Sequence, residues 1–340
     1  MIAGLDGLRA IAFLIVFLFH TRNLPFGWMG VQLFFVLSGF LITDILLRMK
    51  EQFPRREFFI KFYGRRFLRI FPLYYFYLGL LILLMYSLPF LHMKILESEL
   101  GTDFGSQFWA AAFYLYDFFH ASAFFVRSRF FTHLWSLSVE EQFYLLWPLF
   151  IFITPQKEIK KLFMAAIILG PVFRLLITLI YRAQVFPFLL NDPQLAVDVL
   201  PFSHLDAFAF GAYISRFEVP HSRIQLFFLS FFIPVIGLFV DHLSKGAIIP
   251  SSLGYSLPLT GFYKEVWGYS ILNYFFAILI YCVARTNLFN RILASPPLHY
   301  LGRISYGLYV YHFGVIAIMA ALFRKYGLGY SMRSPQMSPC

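Results

Sequence analysis

Long apolar runs separated by short basic segments make up most of this sequence. They fall near residues 8–22, 28–47, 67–87, 106–120, 134–154, 162–182, 197–216, 224–243, 264–284 and 300–323. A helix needs about 20 apolar residues to cross a bilayer, and most of these runs approach that length. Only 13% of the residues are charged, and a soluble protein would have to bury far too much Phe and Leu. The dyad segments of about ten residues that mark a β-barrel are not visible.

We therefore predict an all-α fold, a polytopic transmembrane helical bundle of about nine or ten membrane helices. With nine crossings, the remaining one of the ten apolar runs is re-entrant or interfacial. Residues 1–325 are assigned to a single transmembrane domain, and residues 326–340 to a short C-terminal tail. The first run lacks a basic leader and a small-residue cleavage site, so it is predicted to be a retained helix rather than a signal peptide.

The basic loops predict the orientation of the chain. The densest cluster lies between the second and third runs, at residues 48–69, and Lys and Arg are enriched in cytoplasmic loops. This segment and the N-terminus are thus predicted to be cytoplasmic. The later basic loops, at 157–161, 216–223 and 285–303, also face the cytoplasm if the run 106–120 is re-entrant or interfacial. The alternative keeps all ten crossings and lets the charge rule fail in the second half.

The net charge of +11 is explained by these loops, so membrane lipids are the predicted surroundings and no nucleic-acid partner is predicted. The two cysteines, Cys282 and Cys340, form neither a disulfide framework nor a metal-binding spacing, so no metal site is predicted.

The first run begins near Arg9 and ends at His20, eleven residues later. At about 100° per residue, the two side chains lie within about 20° of one helix face and about 16 Å apart along the axis. They are either interfacial anchors or functional groups, because an ionisable residue inside a membrane is a functional candidate. Histidine has the proton affinity that a general base needs near neutral pH.

Two further patterns carry polar chemistry near the start of the chain. Arg66 and Arg69 share a helix face and can bind phosphate oxygens in bidentate fashion, unless they only anchor the helix at the interface. Gly30, Ser38 and Gly39 are small residues in an aromatic run and fit close helix packing.

Polar side chains recur in two later runs. Ser138 and Glu141 fit a capping box at a helix start, which leaves Glu140 to orient a histidine or accept a proton. Ser305, Tyr309 and His312 are spaced by four and three residues and so share one helix face. They either line a polar cavity or belong to a packed aromatic helix.

Five blocks in this order resemble the acyltransferase-3 family of integral-membrane O-acyltransferases, over residues 4 to about 315. The blocks are LDGLRAIAFLIVFLFH, GVQLFFVLSGFLI, RRFLRIFPLYY, HLWSLSVEEQFYLLWP and ISYGLYVYH. The resemblance implies transfer of an acyl group, most commonly acetyl, from cytoplasmic acyl-CoA to a hydroxyl of a cell-surface carbohydrate or glycolipid. It implies acetyl-CoA as the donor substrate, no permanently bound cofactor, and a multi-pass location in the bacterial inner membrane.

The resemblance also assigns roles to residues. The family's first-helix pattern matches Arg9 and His20, its Arg-x-x-Arg pattern matches Arg66 and Arg69, its Ser-Gly pair matches Ser38 and Gly39, and its paired glutamates match Glu140 and Glu141. His20 is predicted to take the acceptor proton or to carry the acyl group. One of the two glutamates is predicted to fix its tautomer, and Arg9 to hold CoA or compensate a carboxylate. Predicted CoA-binding residues are Arg65, Arg66, Arg69, Ser38 and Gly39, and predicted acceptor-site residues are Ser305, Tyr309 and His312.

The chain departs from the family pattern in three places. Gln32 stands where Asp often follows Gly-Val, and His204 stands where Arg often precedes the Asp at 206. The family usually continues with a further helix, whereas this sequence ends in SMRSPQMSPC, so a shortened C-terminus is expected. We expect no fused soluble domain at either end, and transfer is then expected to finish within the membrane domain or on a separate partner.

A non-catalytic membrane protein is the alternative prediction, either a lipid-linked glycan transporter or an inactive shortened paralogue. Polar residues inside a bundle suit a transport path as well as an active site. Binding of CoA distinguishes the two classes, because a transporter has no reason to bind CoA through Arg66 and Arg69.

Overall fold

The predicted all-α fold is confirmed in a computed structural model, which describes residues 3–91, 93–183, 185 and 192–326. Within these ranges the chain forms fourteen α-helices and no strand. They are α1 (Ala3–His20), α2 (Met29–Gln52), α3 (Arg55–Leu91), α4 (Lys94–Gly101), α5 (Phe104–Ala112), α6 (Tyr116–Ala121), α7 (Leu134–Ile153), α8 (Ile159–Arg182), α9 (Pro193–Val199), α10 (Leu205–Arg216), α11 (Ser222–Lys245), α12 (Lys264–Thr286), α13 (Asn290–Leu293) and α14 (Pro296–Lys325). Apart from Tyr326, the predicted tail at 326–340 lies outside the described residues.

Membrane-spanning helices dominate the architecture. Among the described residues, six helices are long and apolar enough to cross a bilayer, namely α2, α3, α8, α11, α12 and α14. Helices α1 and α7, of 18 and 20 residues, follow two further predicted runs closely. The chain is a multi-pass membrane protein.

Two predicted apolar runs are broken into short pieces. The run 106–120 falls on α5 and α6, which have nine and six residues, with Tyr114 at a positive φ of 54° between them. Neither helix is long enough to cross a hydrocarbon core of about 30 Å, which favours the topology in which this run does not span. The run 197–216 divides at Pro201 into α9, a 3-10 turn and the 12-residue α10. Proline lacks the backbone N–H that would continue a helix across this point.

Glycines bring α1, α2, α10 and α14 into close contact. A methyl group at Gly39 of α2 would collide with the carbonyl oxygen of Phe208 on α10, and one at Gly302 of α14 would collide with the carbonyl oxygen of Asp6 on α1. Lipid tails are as apolar as the helix surfaces, so helices associate in a membrane largely by such close packing. The glycines thus hold the four helices that carry the site described below.

A buried ion pair connects α8, α10 and α12. Arg174 donates to both carboxylate oxygens of Asp206, at 2.9 and 2.7 Å, and both side chains are fully buried. Ser270 and Asn273 of α12 donate to the same carboxylate at 2.7 and 3.2 Å. A buried charge pair is tolerated when its hydrogen bonds are made, as these are, so the network fixes the relative position of the three helices.

Replacing Gly39 by alanine is expected to destabilise the bundle by about 1–3 kcal/mol, because the added methyl group forces α2 away from α10. Thermal unfolding of the detergent-solubilised protein measures this as a lower melting temperature. Gly79→Ala is the matched control, since a methyl group there meets nothing within 4 Å and alanine favours a helix. Equal melting temperatures for the two variants would contradict the packing role of Gly39.

Candidate active site

Two cavities lie back to back in the part of the chain that the structure describes, and we name them by their lining. The arginine cavity has a volume of about 90 Å³ and is lined, among others, by Arg9, Ser38, Arg66, Arg69, Glu140 and Arg303. The histidine cavity has a volume of about 770 Å³ and is lined, among others, by His20, His120, His133, Trp28, Trp135 and Asp198. Val31 and Tyr309 line both cavities, so these two side chains form the wall between them.

The arginine cavity concentrates positive charge. Arg9 comes from α1, Arg66 and Arg69 from α3, and Arg303 from α14, whereas Glu140 is the one acidic residue of its described lining. Clustered guanidinium groups bind phosphate oxygens through charge-assisted, bidentate hydrogen bonds. The structure brings together three of the four arginines that the sequence singled out, Arg9, Arg66 and Arg69, and adds Arg303.

Arg303 was missed because it was read only as the end of a basic cytoplasmic loop. The signal was present in the sequence, since Arg303 stands two residues before Ser305 in the LGRISYG stretch. Both residues line the arginine cavity. Ser305, predicted for the acceptor site, therefore lies on the opposite side of Tyr309 from His20.

Local contacts orient two of the arginines. Arg9 donates to the carboxylate of Asp6 at 2.8 Å, one turn earlier on α1. The Arg66 guanidinium lies 5.1 Å from the ring centroid of Tyr144, within range of a cation–π interaction. Arg65, predicted to bind CoA, is exposed and does not line the cavity, because it is rotated by about 100° from Arg66 on the same helix.

Glu140 is held inside the arginine cavity by α2. The Ser38 hydroxyl donates to its carboxylate at 2.8 Å and lies 3.1 Å from the Tyr144 hydroxyl. Glu140 and His20 therefore face different cavities, and the predicted contact by which Glu140 fixes the His20 tautomer is not formed. Ser38 lines the arginine cavity, as its predicted contact with CoA requires, whereas Gly39 faces α10 and does not line the cavity.

The capping-box interpretation of Ser138 and Glu141 is wrong. Helix α7 begins four residues earlier, at Leu134, and the Ser138 hydroxyl donates to the Leu134 carbonyl at 3.1 Å. Glu141 lies well inside the helix and is close enough to Arg66 to interact with it electrostatically. It is absent from the described linings of both cavities, so the structure does not bring it to His20 either.

The histidine cavity is large and mixed in character. His20 ends α1 at its edge, and its ring lies 5.1 Å from the ring of His312, measured between centroids. Aromatic side chains and hydrogen-bonding groups alternate around it, including Trp28, Trp135, Tyr269, Gln32, Asp198 and Glu265. Such a lining suits a hydroxyl-rich ligand, because aromatic faces pack on its carbon skeleton and the polar groups fix its orientation.

Two titratable groups of this cavity lie on helices too short to span the membrane. Burial lowers the pKa of His120 on α6 to about 3, so its imidazole is neutral. Burial raises the pKa of Asp198 on α9 to about 6, and the hydrogen bond from the Tyr269 hydroxyl, at 2.8 Å, opposes this rise. The carboxyl of Asp198 therefore titrates close to physiological pH.

Two of the departures from the family pattern contact each other. His204 Nε2 donates to the carbonyl oxygen of Asp198 at 2.9 Å, so its Nδ1 carries the lone pair, and the Gln32 amide donates to that atom at 3.2 Å. A carbonyl can only accept a hydrogen bond, which fixes the tautomer. The two substitutions thus form a neutral, buried hydrogen-bonded pair between α2 and the start of α10.

Comparison with known proteins identifies the family of the chain. Residues 2–338 match the family described as an acyltransferase domain. The chain belongs to the acyltransferase-3 family. The resemblance carried by the five sequence blocks is confirmed.

Curated relatives of this acyltransferase-3 chain include two named O-acetyltransferases. It is 30% identical over 334 residues to the peptidoglycan O-acetyltransferase OatA of Listeria monocytogenes, covering 93% of this chain and 50% of that protein. It is 28% identical over 351 residues to the O-acetyltransferase OatA of Staphylococcus aureus, covering 94% of this chain and 51% of that protein. The chain thus spans about half the length of these relatives. No solved structure matches it.

Proposed function

We propose that this protein is a membrane O-acetyltransferase that moves an acetyl group from acetyl-CoA to a hydroxyl of a cell-surface carbohydrate, with peptidoglycan as the acceptor. The observation that carries the proposal is the shared wall: an arginine-lined cavity and a histidine-lined cavity meet at Val31 and Tyr309. A phosphate-rich donor and a hydroxyl-rich acceptor can approach this wall from opposite sides. The relatives named for peptidoglycan support the choice of acceptor.

Donor binding is proposed for the arginine cavity. The phosphates of CoA would contact Arg66, Arg69 and Arg303, and the narrow pantetheine arm would extend between the helices toward Tyr309. The orientation predicted from the basic loops places this side of the membrane in the cytoplasm, where acyl-CoA is found.

Acetyl transfer is proposed to take place beside His20. The acceptor oxygen attacks the thioester carbonyl carbon, the new C–O bond forms as the C–S bond breaks, and CoA leaves as a thiolate. His20 takes the proton of the acceptor hydroxyl and returns it to that thiolate, so no other reactant is consumed.

The experiment is the measurement of alkali-labile acetate on purified cell-wall peptidoglycan. A strain that lacks acetylation is complemented with this chain, and its peptidoglycan is expected to gain acetate that alkali releases. Binding of CoA by the purified protein is measured alongside. Peptidoglycan without added acetate, together with a protein that does not bind CoA, would favour the transporter and overturn the proposal.

A further inference from the structure

Three histidines, two of them in helices and one just before a third helix, come together beside the histidine cavity. His20 ends α1, His133 immediately precedes α7, and His312 lies in α14. The ring centroid of His312 lies 5.1 Å from that of His20 and 5.3 Å from that of His133. His133 and His312 are only 2% and 5% exposed.

Backbone carbonyls fix the tautomers of His133 and His312. His312 Nδ1 lies 2.6 Å from the carbonyl oxygen of Tyr309, and His133 Nε2 lies 2.9 Å from the carbonyl oxygen of Val310. A carbonyl oxygen can only accept, so both of these nitrogens carry the proton and donate. In the neutral rings, the remaining nitrogens, Nε2 of His312 and Nδ1 of His133, are lone-pair acceptors.

These two acceptor nitrogens are buried and have no hydrogen-bond partner among the described residues. They cannot bond to each other, because neither carries a proton. A buried acceptor left without a donor costs about 1–3 kcal/mol, so two such atoms on neighbouring rings, with centroids 5.3 Å apart, indicate that a donor group belongs beside them. His20, whose ring is adjacent to that of His312, carries an N–H that can serve as this donor.

We propose that His133 and His312 are positioning residues for His20. The unprotonated nitrogens of these two rings accept the N–H of His20. The other nitrogen of His20, which carries a lone pair, is thereby directed toward the acceptor hydroxyl. This is the orienting role that the sequence had suggested for Glu140 or Glu141, and two backbone-fixed imidazoles supply it here. The inference rests on the proposed function, since it names what prepares His20 to take the acceptor proton.

The proton balance of the step is unchanged by this arrangement. The acceptor proton moves to the free nitrogen of His20 as the acceptor oxygen bonds to the acyl carbon. The imidazolium formed has two N–H groups, one of which stays bonded to the His312 and His133 pair. The other returns its proton to the CoA thiolate. His133 and His312 keep their own protons throughout, on the nitrogens that donate to the carbonyl oxygens of Val310 and Tyr309.

Substitution of His133 and His312 by asparagine or glutamine distinguishes this positioning role from a structural one. An Asn amide reaches the place of a histidine Nδ1, and a Gln amide reaches the place of Nε2. His312→Asn therefore keeps the bond to the Tyr309 carbonyl and loses the acceptor, whereas His312→Gln restores an acceptor. At position 133 the assignments reverse, so His133→Gln keeps the bond to the Val310 carbonyl and His133→Asn restores the acceptor.

The experiment compares these four variants of the full chain, reconstituted in vesicles with acetyl-labelled acetyl-CoA and muropeptides as the acceptor probe. The rate of alkali-labile label appearing on muropeptide is expected to be at least about tenfold higher for His312→Gln than for His312→Asn, and for His133→Asn than for His133→Gln. Affinity for CoA is expected to be the same in all four, because neither histidine lines the arginine cavity.

The opposite order, or equal rates within each pair, would overturn the positioning role, since both follow from a purely structural function of the backbone bonds. Melting temperatures of the four proteins identify any variant that fails to fold, and the other pair then decides the question. Failure of the wild-type chain to transfer label would instead overturn the proposed function. The two failures are therefore distinguishable.

Discussion

Replacement of His20 by alanine is expected to lower acetyl transfer by about 10²- to 10⁴-fold, the usual contribution of a positioned general base. The imidazole lies at the edge of the histidine cavity, next to His312, and it is the proposed acceptor of the hydroxyl proton. Binding of CoA is expected to be unchanged, because the phosphate-binding groups lie across the wall formed by Val31 and Tyr309. The loss should thus fall on kcat rather than on the KM for acetyl-CoA.

His242→Ala is the matched control for this substitution. His242 is exposed near the end of α11 and lines neither cavity in the described structure. Transfer rates are measured with labelled acetyl-CoA and corrected for the amount of folded protein. A His20→Ala protein that is expressed, folded and as active as the control would contradict the assignment of His20.

Combined replacement of Arg66 and Arg69 by alanine is expected to weaken CoA binding by about 100-fold or more. A charge-assisted hydrogen bond contributes about 1.5–3 kcal/mol, and each 1.4 kcal/mol is a factor of ten in affinity. Both side chains line the arginine cavity together with Arg9 and Arg303. Titration of the purified variant with CoA measures the effect directly, and the KM for acetyl-CoA is expected to rise accordingly.

Arg65→Ala provides the control, because it removes one positive charge from the same turn of α3 on a different face. Arg65 is exposed and does not line the cavity, so its removal is expected to change the affinity for CoA by no more than about twofold. A loss of binding free energy for Arg65→Ala that equals the loss per charge in the pair would show that the cluster acts only through its general positive potential. That result would contradict a built phosphate site.

Features that depend on local sequence were predictable in this chain. Hydrophobic runs located the long helices, and the spacing of Arg66 and Arg69 placed both on one face, because helical geometry is set within a few residues. The eleven-residue spacing of Arg9 and His20 placed them on one face of one helix, and they do open onto the two cavities at different depths of the bundle.

Features that depend on contacts between distant segments were not predictable. Glu140 bonds to Ser38, 102 residues away, and the alternative contact with His20 could not be distinguished from it along the sequence. His133 was overlooked because it precedes α7 and carries no periodic signal, and its role depends on a carbonyl oxygen of α14. The break at Pro201 was hidden because α9 and α10 are apolar on both sides of it.

Donor and acceptor are proposed to meet across one wall inside the bundle. Sealed vesicles test this most directly when they hold muropeptides inside, receive labelled acetyl-CoA outside, and contain the chain with its arginine cavity facing out. We predict that alkali-labile label accumulates on the enclosed muropeptides and that His20→Ala abolishes this accumulation. Label that appears only when acetyl-CoA and muropeptides are placed on the same side of the membrane would contradict the account.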